Sequence, residues 1–247
     1  MSVEVAAARL EEARAAMVEL FPEGFEEAER PGGSIELAAY TDAQGEEKLW
    51  HVFGGARSQD VDDGWEDRWR TFHKPVRVGR LWIGPPWETP DPELTAVVID
   101  PGRAFGTGAH PTTRLCLELL QRLEPRSLVD VGCGSGVLSI AAALLGFAPV
   151  TGVDVEEAAV EATHANARAN GVDVTALLVA QDAPLPSAAV GVANISLESV
   201  FAAAPRLDVD ELVTSGYLAA SAVELDGFVH VERLAADGWA ADLHRRA

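Results

Sequence analysis

The sequence predicts an α/β protein: a mostly parallel, seven-stranded sheet with helices on both faces and a C-terminal antiparallel hairpin, preceded by a small N-terminal α+β domain. Three observations carry this. From about Leu94, apolar runs of strand length alternate with helical stretches, the pattern of parallel strands covered on both sides. Phe228–Leu234 and Trp239–Leu243 flank Ala235-Ala236-Asp237-Gly238, an Asp-Gly turn between two strands. The first 60 residues are more acidic and read as a separate small unit.

Taken in order, Ser2–Val5 reads as a strand, and Ala6–Leu20 has helical periodicity with Leu10, Met17 and Leu20 on one side. Pro22 and Gly24 end it, and Phe25–Arg30 and Ser34–Thr41 form strands around Pro31-Gly32-Gly33. Trp65, Trp69 and Phe72 fall on one face of a connecting helix over 62–72. Five of the six tryptophans lie between Trp50 and Trp87, an aromatic cluster read as packing rather than ligand binding. Val76–Ile83 reads as a strand stopped by Gly84-Pro85-Pro86. The strands expected beyond it are Ala96–Ile99, Ser127–Val131, Val150–Val155, Val174–Ala180, Val190–Asn194 and Glu211–Thr214. The helices are Thr112–Leu123, Gly136–Leu145, Glu156–Asn170, Leu197–Arg206 and Ala219–Leu225. The domain reading is 1–60 for the small unit, 61–93 for a connecting helix and strand, and 94–247 for the large domain.

Composition narrows the function classes. The 247 residues carry 39 acids against 19 bases, a formal charge of −20. A field of that sign repels phosphate backbones, so no direct nucleic-acid binding is expected, while a basic partner is attracted. Solubility or salt adaptation explains the same charge equally well. Two cysteines, Cys116 and Cys133, sit in no ligand pattern and suit a reduced, cytoplasmic protein. The N-terminus carries acids throughout and does not read as a signal peptide, and no apolar run has the length of a membrane span. Nothing in the sequence indicates an oligomeric state.

Four segments carry chemistry. Leu128 to Val131 is a strand running into Gly132-Cys133-Gly134-Ser135-Gly136 and then an apolar helix. Such a turn lets backbone approach a nucleotide-like ligand closely. Dinucleotide enzymes use GxGxxG; GxGxG, with Asp130 two residues before the first glycine, is the form typical of S-adenosyl-L-methionine (AdoMet) methyltransferases. Asp154 ends the next strand, where an acid takes both ribose hydroxyls; the competing reading is an N-cap for the helix from Glu156. Asn194, in Val192-Ala193-Asn194-Ile195-Ser196, ends the fourth strand at the ligand-binding edge of the sheet, and its amide offers both an acceptor and donors; a turn-forming Asn is the alternative. Asp100 to Thr113 is an ordered, glycine-bearing loop that leads into a helix started by Pro111 and Thr112. His110 in that loop has no partner at ligand spacing, so no metal is expected.

These segments resemble the PrmA family of ribosomal protein methyltransferases, which modify lysine side chains and the N-terminal amine of large-subunit ribosomal protein L11. The resemblance is collinear from Trp65 to about Gly216, through WEDRWRTFHKP, IDPGRAFGTGAHPTTRLCLELL, VDVGCGSGVLSIAA, GVDVEEAAVEATHANARANG, VANIS and TSGY. It implies a Rossmann-like class I methyltransferase fold, AdoMet as cofactor with S-adenosyl-L-homocysteine as product, and a basic protein substrate. Carried over by position, it implies cofactor contacts at Thr113, Gly132, Gly134, Gly136 and Asp154, with Asn194 near the methyl and the incoming amine. Phe105 and His110 fall where the family's loop lines the site, and Asp182 where methyltransferases bind the adenine amine. Asn194 and His110 are thus the catalytic candidates, the first as an orienting group and the second as a proton acceptor. Two departures stand out. The family's N-terminal domain is β-α-β-β-α-β, ferredoxin-like, whereas the region before Trp65 reads as β-α-β-β, with Glu46–Phe53 short for a second helix. The family's Asn is commonly followed by two aliphatic residues, whereas here Ile195-Ser196 follows. Alternatives are an AdoMet methyltransferase acting on another protein or a small molecule, and a non-catalytic AdoMet-binding module. A nicotinamide oxidoreductase is weakest, for want of GxGxxG.

Overall fold

The computed structural model describes residues 2–6, 9–21, 26–29, 34–39, 48–50, 52–53, 74–100 and 108–247. The expected helix over 62–72, with Trp65, Trp69 and Phe72, and the loop residue Phe105 lie outside them. The chain divides into two compact units, Met1–Arg68 and Trp69–Ala247.

In the first unit, strands β1 (Ser2–Ala6), β2 (Glu26–Glu29) and β3 (Ser34–Ala38) form an antiparallel sheet in the order β1-β3-β2. Val3 faces Leu37 and Val5 faces Ile35, so one face of the sheet is apolar. Helix α1 (Leu10–Leu20) adds Ala13 and Met17, one turn apart, to a core with Val3, Phe21, Leu37, Ala39 and Leu49. The helix starts at Leu10 rather than Ala6, because Ala6 is still paired with Ser34 in the sheet. Residues 48–50 and 52–53 are helical and bury Leu49, so the segment too short to predict as a helix does contribute to this core.

The second unit holds two sheets. Strands β4 (Val76–Val78), β5 (Leu81–Gly84) and β6 (Thr95–Val98) form the smaller one, β4-β5 antiparallel and β5-β6 parallel. This corrects the expectation that Ala96–Ile99 joins the main sheet. Buried β5 offers one edge to β6, and the other edge of β6 is satisfied by side chains. Asn170 Oδ1 accepts from Val98 N–H at 2.8 Å while Asn170 Nδ2 donates to Val98 O at 2.6 Å. Asn166 does the same for Asp100, at 3.0 and 3.3 Å. Two asparagines one helical turn apart thus stand in for a neighbouring strand.

The main sheet contains β7 (Leu128–Val131), β8 (Val150–Asp154), β9 (Thr175–Leu178), β10 (Val190–Asn194), β11 (Glu211–Leu218), β12 (Phe228–Ala236) and β13 (Trp239–Arg246). Their order is β9-β8-β7-β10-β11-β13-β12, parallel from β9 to β11 and antiparallel at β13 and β12. Helices α2 (Pro111–Leu120), α3 (Val137–Leu144), α4 (Glu157–Asn170) and α5 (Leu197–Ala203) connect or cover the strands. Leu117, Leu119, Leu120 and Ile140 are fully buried with Leu128, Val190 and Val213 of the sheet. Asp237 and Gly238 both hold positive φ, 52° and 80°, in a two-residue turn between β12 and β13, as the Asp-Gly signal predicts.

The expected helix Ala219–Leu225 does not form. Val223 and Leu225 are buried while Glu224 and Asp226 between and after them are exposed, a period of two that an extended segment satisfies and a helix does not. Cys116 and Cys133 are both buried and free. No helix among the described residues is long and apolar enough to cross a membrane.

Candidate active site

The order of the sheet reverses between β7 and β10: β8 and β9 continue to one side of β7, and the chain then returns to place β10 on the other. Loops leaving the carboxyl ends of β7 and β10 diverge there and open the crevice in which α/β sheets bind ligands. The glycine-rich turn leaves β7, and Asn194 is the last residue of β10.

Gly132, Gly134 and Gly136 hold φ of 74°, 54° and 82°, a region strained for any residue with a Cβ. Gly132 N–H and Cys133 N–H donate to Val153 O at 2.9 and 3.1 Å, and Gly136 N–H to Cys133 O at 2.8 Å. Gly134 N–H donates to Asp154 Oδ2 at 3.0 Å. Beneath the turn Asp130 is buried and accepts from the Ser139 N–H at 3.1 Å and its hydroxyl at 2.6 Å. Burial pushes the Asp130 carboxyl up to about 6, against the pull of the Ser139 hydrogen bonds. Asp154 Oδ1 accepts the Glu156 N–H at 3.0 Å, so this carboxylate braces both the glycine turn and the start of α4.

A cleft of about 260 Å³ opens beside the turn. Gly132, Asp154 and Asp182 all line it, together with Val155, Ile195 and Arg206. Next to it, Asn194 Nδ2 donates to Thr113 Oγ1 at 3.2 Å, which ties the end of β10 to the first turn of α2. The structure therefore brings Gly132, Asp154 and Asp182 to one cleft, ties Gly134 to it through Asp154, and places the Asn194–Thr113 pair next to the lining residue Ile195. Gly136 caps α3. His110 is engaged elsewhere. It is the N-cap of α2, its Nδ1 accepts the Thr112 N–H at 3.4 Å and lies 2.7 Å from the Thr112 hydroxyl, and its ring meets Trp239 edge-on at 4.9 Å. Burial, then the nearby Arg114 charge, lower its pKa. Among the described residues no group of His, Cys, Asp and Glu could hold a metal ion.

Among the lining residues that the sequence did not single out are Val155, Ile195 and Arg206. Val155 is an exposed β-branched residue directly after Asp154, and an apolar side chain in that acidic stretch was a usable signal. Ile195 reaches over Gly132, where a Cβ would lie 2.4 Å from its Cγ2. Arg206, far along the chain, carried no local signal.

The sequence profile described as "Ribosomal protein L11 methyltransferase (PrmA)" matches residues 6–244. The chain belongs to the PrmA family. It is 45% identical over 169 residues to the ribosomal protein L11 methyltransferase of Shewanella sediminis, covering 66% of this chain and 57% of that protein. The enzyme of the same name from Azotobacter vinelandii is 43% identical over 194 residues, 72% of this chain and 66% of that one. The chain thus spans 57% and 66% of the length of these two relatives. A crystal structure of ribosomal protein L11 methylase from Lactobacillus delbrueckii subsp. bulgaricus superimposes with a TM-score of 0.61 at 27% identity, covering 70% of this chain and 98% of that one. The fold of this PrmA member is accordingly the Rossmann-like class I methyltransferase fold.

Proposed function

We propose that this PrmA member is an AdoMet-dependent protein N-methyltransferase that modifies lysine and N-terminal amines of ribosomal protein L11 and releases S-adenosyl-L-homocysteine. The observation that carries the reading is the meeting of the glycine turn, Asp154 and Asn194 across the switch point of the sheet, in a chain that matches the family profile over 6–244. The residues suit the cofactor: the cleft is walled by glycine where a Cβ would strike Ile195, it is flanked by the Asp154 and Asp182 carboxylates, and its one lining arginine, Arg206, is engaged on backbone carbonyls. AdoMet supplies an electrophilic methyl group on a sulfonium. Asp154 would accept from the ribose hydroxyls, Asp182 from the adenine amine, and the turn at Gly132, Gly134 and Gly136 would admit the ligand close to backbone.

The chain's work on the substrate is to present a neutral amine. A lysine at its reference pKa of ~10.4 costs about 4.6 kcal/mol to deprotonate at pH 7. A positive sulfonium and an enclosed pocket both lower that cost. With Asn194 Nδ2 committed to Thr113, Oδ1 is the end of the amide left to accept an N–H of the amine and aim its lone pair. His110 caps α2, with its Nδ1 engaged by Thr112, and is the second catalytic candidate behind Asn194 as a proton acceptor. The field of a −20 chain steers a basic protein such as L11 and disfavours bare nucleic acid. A cytoplasmic location accompanies that substrate.

The test is methyl transfer from labelled AdoMet to purified L11, with host lysate proteins run beside it. Label on L11 that is lost in Asn194→Ala supports the reading. Label on another band moves the substrate to a different protein, and no label despite measured cofactor binding leaves a small-molecule enzyme or a binding module.

A further inference from the structure

The segment from Val179 to Ala189, between β9 and β10, contains no helix or strand, yet it supplies Gln181 and Asp182 to the cleft. Its tip is a tight turn. Ala183 N–H donates to Ala180 O at 2.9 Å, with Gln181 and Asp182 at the two central positions. A second restraint comes from a different element. Arg206 ends the short 3₁₀ helix Ala204–Arg206, whose neighbours Ala203 and Leu207 are buried in the core beside buried Ala204. From that base its guanidinium donates one N–H to Gln181 O at 2.5 Å and another to Ala183 O. A planar fork spans the two carbonyls on either side of Asp182; a lysine ammonium, as a point charge, does not reproduce that geometry.

We propose that Arg206 is a positioning residue that sets both the affinity and the base selectivity of the cofactor pocket by clamping the Gln181–Ala183 turn, an inference that rests on the AdoMet reading of the cleft. The chemistry follows from which groups the clamp consumes. The carbonyls of Gln181 and Ala183 are taken by Arg206, and that of Ala180 by the turn itself. What the tip retains for a ligand, besides the carbonyl of Asp182 itself, is the acceptor-only carboxylate of Asp182 and backbone N–H donors. An acceptor beside a donor matches the adenine edge, whose amine donates and whose ring nitrogen accepts. The 6-oxo edge of hypoxanthine reverses both roles and leaves two mismatched pairs. Releasing the clamp frees two carbonyls to turn toward the ligand, and so removes the loop's reason to prefer one edge over the other.

The experiment is calorimetric titration of the full ligand-free chain with S-adenosylhomocysteine and with S-inosylhomocysteine, for wild type, Arg206→Ala, Arg206→Lys, Arg206→Gln and Asp154→Ala. The wild type is expected to prefer the adenine compound. Arg206→Ala is expected to bind it about tenfold more weakly, the loss of one to two net hydrogen bonds, and to lose most of its preference over the inosine compound. Arg206→Lys is expected to behave like Arg206→Ala. Asp154→Ala should weaken both ligands alike and keep the preference. The preference is a ratio taken within each variant, so lower overall stability does not imitate its loss, and Arg206→Gln supplies it if the alanine variant fails to fold. Arg206→Ala binding within twofold of wild type with its preference intact overturns the clamp alone. A wild type that binds neither compound overturns the cofactor reading of the cleft, and the clamp with it.

Discussion

Asp130 is the group whose removal has the most calculable effect. It is 1% exposed, its neighbours are apolar strand and helix, and burial raises its carboxyl from an ordinary value of 3.8 to about 6. A carboxyl whose folded pKa lies above its unfolded one costs nothing below the unfolded value, and destabilises the fold progressively as pH rises through the folded value. Ionised Asp130 therefore penalises the native state fully above about pH 6 and not at all below about pH 4. A shift of roughly two units corresponds to about 3 kcal/mol. Asp130→Asn keeps an amide oxygen that can accept from Ser139 N–H and Oγ–H, and cannot ionise. The pull of the Ser139 hydrogen bonds on the ionised form is already contained in the net shift, so nothing further is subtracted for it. The variant should thus be more stable than wild type by about 3 kcal/mol at pH 8, and about equal to it at pH 4, where the wild-type carboxyl is itself neutral. Urea denaturation of both proteins at pH 4, 6 and 8 reads the difference, in which other titrating groups cancel. A stability difference that stays flat across this range would show that Asp130 is not ionised and desolvated as described.

Three further outcomes follow from the same geometry. Gly132→Ala places a Cβ 2.4 Å from Ile195 Cγ2 at a φ of 74°, and should cost about 1–3 kcal/mol in thermal denaturation and weaken AdoMet binding; adding Ile195→Ala should recover the part due to the clash and leave the part due to φ. Asn170→Ala strips both hydrogen bonds from Val98 at the open edge of β6 and should cost about 2–4 kcal/mol by urea denaturation, with no rescue by Asn170→Asp, because a carboxylate oxygen would then face the Val98 carbonyl. Arg233→Met leaves Asp242, a fully buried carboxylate, without its two-pronged partner and should cost about 3–5 kcal/mol at pH 7, a loss largely reversed by Arg233→Met/Asp242→Leu. Burial works to raise the Asp242 pKa, but hydrogen bonds from Arg233, Tyr217 and His230 prevail and hold it low. The stability that Asp242 contributes is accordingly present above the usual carboxylate range and lost as pH falls below it.

What the sequence disclosed was whatever depends on neighbours along the chain. The GxGxG turn, the acid ending β8, the Asn ending β10 and the Asp-Gly hairpin each occupy a few consecutive residues, and their backbone demands are visible there. The misassignments share the opposite cause. Ala96–Ile99 has the composition of a core strand, and only the partnership with β5 and with Asn166 and Asn170 of α4 decides which sheet it joins. Ala219–Leu225 has good helix formers, but burial of Val223 and Leu225 against β11 and α5 imposes an extended path. The functional residues that went unseen, Ile195 over Gly132 and Arg206 under the 181–183 turn, act across long separations in sequence. His110 adds a structural role that depends only on its immediate neighbours: its ring closes the first turn of α2.

The glycine turn also explains in physical terms why this strand–turn–helix suits a ligand without phosphate. A helix N-terminus attracts a pyrophosphate because its N–H groups are free and its dipole end is uncompensated. Here the donors of Gly132 and Cys133 are both spent on the Val153 carbonyl, that of Gly134 on the Asp154 carboxylate, and that of Gly136 on Cys133 O. In the first turn of α3, Ser139 N–H is held by the buried Asp130 carboxylate. A phosphate arriving at this turn would meet occupied donors and two carboxylates, one of them inside the fold. A ligand that approaches through ribose hydroxyls and carries positive charge meets acceptors instead. The discrimination between GxGxG and GxGxxG therefore lies in more than spacing. The acids at 130 and 154 occupy the donors of Ser139 and Gly134 and set negative charge beside the helix start, so the same two side chains that hold the turn rigid disfavour an anion there.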